Sequence, residues 1–310
     1  MTRRGDAAPN GGMDMLNNTP RHPVDLPLDV PAPSVDAARA ALLVAQCPMA
    51  GVTPLMNAPA LAAMAGVGSL HIKDERNRMG LGSFKALGAA YVIACDASDG
   101  TAKGRTYVTA SAGNHGMSVA AGAAAFGARA VVYIAETVPE AFAKRLRETG
   151  AEVRREGAIY EDSMAAAMAT ADAEGFALLS DSSWEGYYDR PHRLMEGYLV
   201  LMDEAIRQMP HPPTHLFLQA GVGGLAGACA ALARKAWGEA VQIVVVEPDA
   251  APALHASVSA GKAVTTQGPV SAMGRLDCKE PSLIALKGLA RDADVFLLIS
   301  EDEGTAGAAA

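Results

Sequence analysis

Along most of the chain, short apolar runs alternate with segments whose apolar positions recur every three or four residues. The runs read as buried strands, and the periodic segments as amphipathic helices. The pattern predicts strands at Val67–Asp74, Arg105–Thr109, Ala128–Ala135, Glu152–Glu156, Phe176–Ser180, His215–Gln219, Gln242–Glu247 and Asp294–Ser300. Helices are predicted over Ser34–Val44, from Lys85 through Cys95, and over Asn114–Phe126, Pro139–Thr149, Tyr160–Glu174 and Arg190–Gln208. Three more follow at Leu225–Trp237, Pro252–Ala260 and Ser282–Ala290. Ser34 is placed to cap a helix, Pro191 suits a first turn, and Gly150 and Gly261 are stop signals. Thr53-Pro54-Leu55 reads as an extended turn. Strands alternating with helices make right-handed βαβ units, so the fold class is α/β with largely parallel sheets. Ligands of such sheets sit beyond the carboxyl ends of the strands. Two such modules in one chain leave a cleft between them for a small molecule.

The first 33 residues break the pattern. They are rich in Pro, Asn, Asp and Gly, and read as a mobile N-terminal arm without an apolar signal core. A net charge of -8 and the lack of any basic stripe argue against a nucleic-acid surface. No apolar run is long enough to span a bilayer. Cys47, Cys95, Cys229 and Cys278 are scattered, with neither zinc-ligand nor disulfide spacing, which fits a reducing cytoplasm.

Four places carry candidate chemistry. Lys85 stands in SFKALG, where a charged, glycine-punctuated loop enters an apolar helix. An amine held there has a lowered pKa and can attack a carbonyl; equally, it can be a solvated lysine at a helix start. Thr109-Ala110-Ser111-Ala112-Gly113-Asn114-His115-Gly116 follows a strand and opens a helix, so free N–H groups there favour a carboxylate. By itself it is also an ordinary βα turn. Gln219-Ala220-Gly221-Val222-Gly223-Gly224-Leu225 is a second strand-to-helix turn, a nest for a phosphate. Its glycine spacing departs from the dinucleotide fingerprint, and no lysine follows as in nucleoside-triphosphate loops. In Ser180-Asp181-Ser182-Ser183-Trp184-Glu185-Gly186-Tyr187-Tyr188, Asp181 can bind a cation or move a proton, or simply cap a helix.

The order SFKALG, SAGNHG, GVGGL resembles the fold-type II pyridoxal phosphate enzymes, which include serine and threonine dehydratases. IKDERNRMGLGSFKALGAAY, SDSSWEGYYDRP, MEGYLVLMDEAIRQM, THLFLQAGVGGLAG, IVVVEPD and MGRLDCKEP are most similar to diaminopropionate ammonia-lyases. The resemblance implies two three-layer αβα domains with pyridoxal phosphate in the cleft between them. Residues 34–88 and 193–310 would form the large cofactor-binding domain, and 89–192 the small one. Lys85 would hold the cofactor covalently and act as a base at Cα, beside Phe84. Asn114 would bond its phenolic oxygen, and Gly221, Val222, Gly223, Gly224 and Leu225 would cradle its phosphate. Ser111, Ala112, Gly113 and His115 would lie near the substrate carboxylate, and Asp181 would face the amino groups. The implied reaction is α,β-elimination of 2,3-diaminopropionate to pyruvate and ammonia, in a homodimer.

Two departures bear on this. Members of the family commonly carry an aspartate before Gly-Asn-His-Gly, where this chain has Ala112. With Lys85 as the only base, a single enantiomer is expected, the L form. The alanine also leaves room for a serine, threonine or hydroxyaspartate dehydratase. Secondly, Gly304–Ala310 reads as a helix just beginning, whereas the family continues to a strand that contacts the pyridine nitrogen. The large domain is therefore expected to be incomplete at its C-terminus, with a non-catalytic homologue as a third possibility.

Overall fold

The computed structural model describes residues 14–309. The chain begins with strand β1 (Met15–Asn17), helix α1 (Ala37–Val44), β2 (Leu55–Asn57), α2 (Pro59–Ala65) and β3 (His71–Lys73). There follow α3 (Lys85–Ser98), β4 (Thr106–Ala110), α4 (Asn114–Ala125), β5 (Arg129–Ile134), α5 (Glu140–Glu148), β6 (Glu152–Arg155), α6 (Tyr160–Glu174) and β7 (Ala177–Leu178). The second half runs through α7 (Asp189–Gln208), β8 (His215–Gln219), α8 (Gly224–Trp237), β9 (Gln242–Pro248), α9 (Ala253–Ala260), α10 (Leu283–Asp292), β10 (Val295–Ile299) and α11 (Glu301–Ala309).

Two four-stranded sheets result. One has the order β6-β5-β4-β7 and is parallel throughout. Its strands are covered on both faces, as apolar runs without alternation require. Val108, Ala110, Val131 and Tyr133 pack under Ala167 and Ala171 of α6, while Tyr107, Ala130, Val132 and Ile134 join the main core beside Val119 and Ala123 of α4. The other sheet has the order β1-β10-β9-β8, parallel except for β1. β2 and β3 form a separate antiparallel pair.

Helix α3 lies between α4 and α7. The approach to α7 depends on two glycines. A Cβ on Gly197 would lie 2.3 Å from the Leu87 carbonyl oxygen, and one on Gly88 would lie 2.7 Å from Tyr198 Cε1.

The arm expected over residues 1–33 is not free within the described residues. β1 pairs with β10, Asn18 Nδ2 donates to the Ala290 and Ala293 carbonyls at 3.0 and 2.9 Å, and Asp25 bridges to Lys262. Residues 1–13 of that arm lie outside the described residues. β2 starts at the last residue of the turn expected over Thr53–Leu55, and α2 forms where no element was expected. The strand expected over Val67–Asp74 shortens to His71–Lys73, because Gly66 caps α2 in the left-handed region (φ +66°) and the chain turns before it can pair.

Candidate active site

Lys85 opens α3, and its backbone is fixed from two sides. Ser118 Oγ on α4 donates to the Lys85 carbonyl at 2.7 Å, and Ser83 Oγ accepts from the Lys85 N–H at 3.3 Å. The charged loop ahead of it folds inward around Arg78, which is 1 % exposed and paired with Glu75 and Glu204. This polar cluster, invisible to apolar patterning, holds the loop on α7 and so sets where α3 begins.

The Lys85 Nζ lies 2.5 Å from Asp181 Oδ2, 5.4 Å from the Phe84 ring centre and 5.9 Å from that of Tyr198. The two rings meet edge to face at 5.2 Å. Burial pushes the Lys85 pKa down, but the Asp181 carboxylate outweighs it, and the net shift is upward. Burial likewise acts to raise Asp181, and the Lys85 charge at hydrogen-bond distance holds it well below the usual carboxylate range. The lowered lysine pKa expected from a buried position is therefore wrong for this pair: a counter-charge at hydrogen-bond distance dominates desolvation. Asp181 is no helix cap; it faces the lysine.

The DSSWEGYY turn is tied to the rest of the site. Ser183 Oγ and Ser282 Oγ lie 2.7 Å apart, Ser282 N donates to the Val222 carbonyl at 2.9 Å, and Leu283 N donates to the Ser183 carbonyl at 3.0 Å. Trp184 stacks on Tyr187 at 4.4 Å across a turn around Gly186. Thus Asp181, the glycine turn and the start of α10 are one hydrogen-bonded unit.

The glycine turn sits where β8 becomes α8. Gly223 has φ +95°, open to glycine without strain, and no side chain caps the helix. A Cβ on Gly224 would lie 3.7 Å from both the Asp181 carbonyl oxygen and Tyr198 Cε2, so the turn lies beside the lysine pair. A Cβ on Gly221 would lie 2.9 Å from Cys278 Sγ. Leu225 follows as the second residue of α8.

The other turn, Ser111 to Gly116, joins β4 to α4. Ser111 Oγ accepts from Gly113 N at 3.2 Å. Asn114, the first residue of α4, has no side-chain hydrogen bond among the described residues. His115 is buried and its pKa is lowered by that burial, so the ring is neutral. Its Nε2 faces the Leu179 carbonyl at 2.8 Å and must carry the proton; the buried Nδ1 is left as an unpartnered acceptor. A lone pair cannot serve a carboxylate. His115 lies within electrostatic reach of Lys85 and Asp181, and its free lone pair suits a donor such as an ammonium or hydroxyl. Ala112 and Gly113 face Arg275 from the strap between α9 and α10.

These residues fit pyridoxal phosphate: an amine beside a carboxylate, an uncapped helix start with no side chains to block a phosphate, and buried orphan polar atoms at His115 Nδ1 and Tyr198 OH. Residues 47–310 match the family model described as pyridoxal-phosphate dependent enzyme. The chain belongs to that family. Within the family, it is 35% identical over 266 residues to the diaminopropionate ammonia-lyase of Salmonella typhimurium, covering 77% of this chain and 66% of that protein. It therefore spans about two thirds of that relative's length. The crystal structure of Escherichia coli diaminopropionate ammonia lyase in complex with D-serine superposes with a TM-score of 0.82 at 30% identity, covering 93% of this chain and 77% of that one. The human L-serine dehydratase/L-threonine deaminase is 30% identical over 257 residues, covering 82% of this chain and 74% of that protein. No described helix is long and apolar enough to cross a membrane. No group of three or more His, Cys, Asp or Glu among the described residues could hold a metal ion.

Reading the loops one by one missed Tyr198, Cys278 and Arg275. Cys278 lies close enough to feel Asp181 and Lys85, and burial pushes its thiol up to about 11. The signal for Tyr198 lay in MEGYLVL, and for the other two in MGRLDCKEP.

Proposed function

We propose that this chain catalyses the pyridoxal phosphate-dependent α,β-elimination of L-2,3-diaminopropionate. The overall change consumes one water and yields pyruvate and two ammonia. The observation that carries this reading is the 2.5 Å contact between Lys85 and Asp181, within a DSSWEGYY turn. A semi-buried carboxylate held ionised at the reactive amine suits a substrate with a cationic β-substituent. A β-hydroxyl has no charge for it to balance.

Bound pyridoxal phosphate supplies the electron sink that makes a carbanion at Cα accessible. Gly221, Val222, Gly223, Gly224 and Leu225 would hold its phosphate at the start of α8, and Asn114 would bond its phenolic oxygen. Phe84 and Tyr198 wall the site around Lys85. Lys85 Nζ takes the proton from Cα. Asp181 Oδ2 keeps the β-nitrogen protonated so that it leaves as ammonia. Ser111, Ala112 and Gly113 border the carboxylate, and the His115 Nδ1 lone pair receives a substrate N–H. Ala112 holds no proton, so no base faces Cα from the other side and only the L form reacts.

A dehydratase of serine or threonine is the second reading, favoured by Ala112 and by likeness to the human enzyme. In either case we take residues 34–88 and 193–310 as the cofactor-binding domain, 89–192 as the small domain, and a cytoplasmic homodimer as the working form. Release of the 2-oxo acid by the cofactor-loaded protein, read as pyruvate from L- and D-diaminopropionate and L-serine and as 2-oxobutyrate from L-threonine, decides the matter. Turnover of L-diaminopropionate alone supports the proposal. Preference for L-serine or L-threonine replaces it, and comparable rates on D-diaminopropionate refute the single-base argument.

A further inference from the structure

Tyr198, on α7, places its ring between the amine and the glycine turn. It is 1 % exposed, and its hydroxyl makes no hydrogen bond among the described residues. The ring is wedged in place. Phe84 meets it edge to face at 5.2 Å, and its Cε1 lies 2.7 Å from where a Cβ on Gly88 of α3 would stand. Its Cε2 lies 3.7 Å from where a Cβ on Gly224 would stand, at the start of α8. The hydroxyl is carried between those two ring atoms, so it emerges between α3 and the glycine turn. Lys85 Nζ stands 5.9 Å from the ring centre.

A buried O–H without an acceptor is costly, and folded proteins hold few of them. Burial raises the Tyr198 pKa, so the phenol keeps its proton and needs an acceptor. Lys85, held as an ammonium by Asp181, has no lone pair to offer. A phenylalanine would fill the same space without stranding a polar atom. The acceptor therefore comes with a ligand. The glycine turn has the opposite need. From Gly221 to Leu225 it carries no polar side chain, so its own donors to a phosphate are backbone N–H groups alone. The hydroxyls of Ser183 and Ser282, close by, are engaged with each other at 2.7 Å and accept from Ile284 N and Ser183 N at 3.0 and 3.1 Å. Tyr198 is a buried donor beside the turn whose bond is still unmade.

We propose that Tyr198 is a cofactor-binding residue: its hydroxyl donates to the phosphate of pyridoxal phosphate, adding a side-chain donor from α7 to the N–H groups at the start of α8. This rests on the cofactor assigned above and on no particular substrate.

The test is an absorbance titration of the cofactor-free full chain with pyridoxal phosphate and with pyridoxal, which lacks the phosphate. Tyr198→Phe is expected to raise the dissociation constant for pyridoxal phosphate roughly 10- to 100-fold, the effect of losing one hydrogen bond to a charged group, and to leave that for pyridoxal unchanged. The phosphorus NMR resonance of the loaded protein should move in the same variant. The melting temperature of the cofactor-free protein should hold, because the hydroxyl has no bond to lose there. Tyr107→Phe is the reverse case: its hydroxyl donates to Asp96 at 2.8 Å, so the melting temperature should fall while both dissociation constants stay. The proposal is overturned if Tyr198→Phe binds pyridoxal phosphate as tightly as the parent, if the phosphorus resonance stays in place, or if pyridoxal phosphate and pyridoxal weaken equally, which would put the hydroxyl on the amine instead. A parent that binds neither compound would remove the cofactor reading itself, whereas a parent that binds both, with an unaffected Tyr198→Phe, would remove this inference alone.

Discussion

Replacing Arg78 by methionine removes a buried cation while keeping most of its stem. The guanidinium donates to Glu75 at 2.8 and 2.7 Å, to Glu204 at 2.9 and 2.7 Å, to the Gly51 carbonyl at 2.8 Å and to Thr53 Oγ1 at 2.9 Å. Without it, two carboxylates remain in a nearly dry site. Breaking a buried pair by removing one partner costs about 3–5 kcal/mol. Here Glu204 keeps Lys73 at 2.7 Å and Glu75 keeps Thr53 Oγ1 at 2.5 Å, which places the expected loss at the lower end. A loss of about 3 kcal/mol in a chain of this size lowers the melting temperature by roughly 5 °C. Urea unfolding followed by fluorescence gives the free energy, and a thermal scan gives the shift. The double variant Arg78→Met with Glu204→Gln should recover about 1 kcal/mol or more of that loss, since the stranded charge goes with its partner. A loss below about 1 kcal/mol, or strictly additive single effects, would show that the cluster is solvated and that the reasoning about it is wrong.

Two further outcomes follow from titrating groups. Burial pushes Glu247 from its ordinary 4.5 up to about 7, although Leu254 N and His255 N donate to it at 2.8 and 2.7 Å. The folded state therefore binds this proton more tightly than the unfolded one. Its contribution is present below pH 4.5 and is lost as pH rises toward 7. Glu247→Gln should flatten the fall in urea midpoint between pH 5 and pH 7.5; an unchanged slope would rule out Glu247 as its source. At the site itself, Asp181→Asn removes the charge that keeps Lys85 protonated, so burial then governs and the lysine pKa falls. The pH profile for loading pyridoxal phosphate, read by its absorbance, should move to lower pH while turnover drops roughly 10²- to 10⁴-fold. A profile that stays in place would mean that Asp181 does not set the lysine's charge.

The alternation of strands and helices was legible because parallel strands buried on both faces leave near-continuous apolar runs, as in ARAVVYIA. Both turns at helix starts were legible for a related reason: backbone close approach demands small residues, and small residues stand out. β1 was not legible. Three residues that pair with one edge of β10 carry no periodicity of their own. α2 was missed because Pro59–Ala65 is almost wholly apolar and lacks a polar capping side chain. The sense of the Lys85 shift depended on Asp181, 96 positions away, and no local pattern encodes that meeting. Arg78 stood out only as one charge in a glycine-punctuated loop, since a charge gives no sign in sequence that its partners are buried with it. Arg275 was hidden for the opposite reason: its exposed side chain has no hydrogen-bonding partner among the described residues.

The central claim is that Lys85 is the amine that takes the cofactor. The direct measurement is borohydride reduction of the protein loaded with pyridoxal phosphate, followed by mass analysis of its peptides. The account predicts the cofactor mass on Lys85 in the SFKALG peptide, and none in Lys85→Ala. Label on another lysine, or a Lys85→Ala protein labelled as fully as the parent, would contradict it.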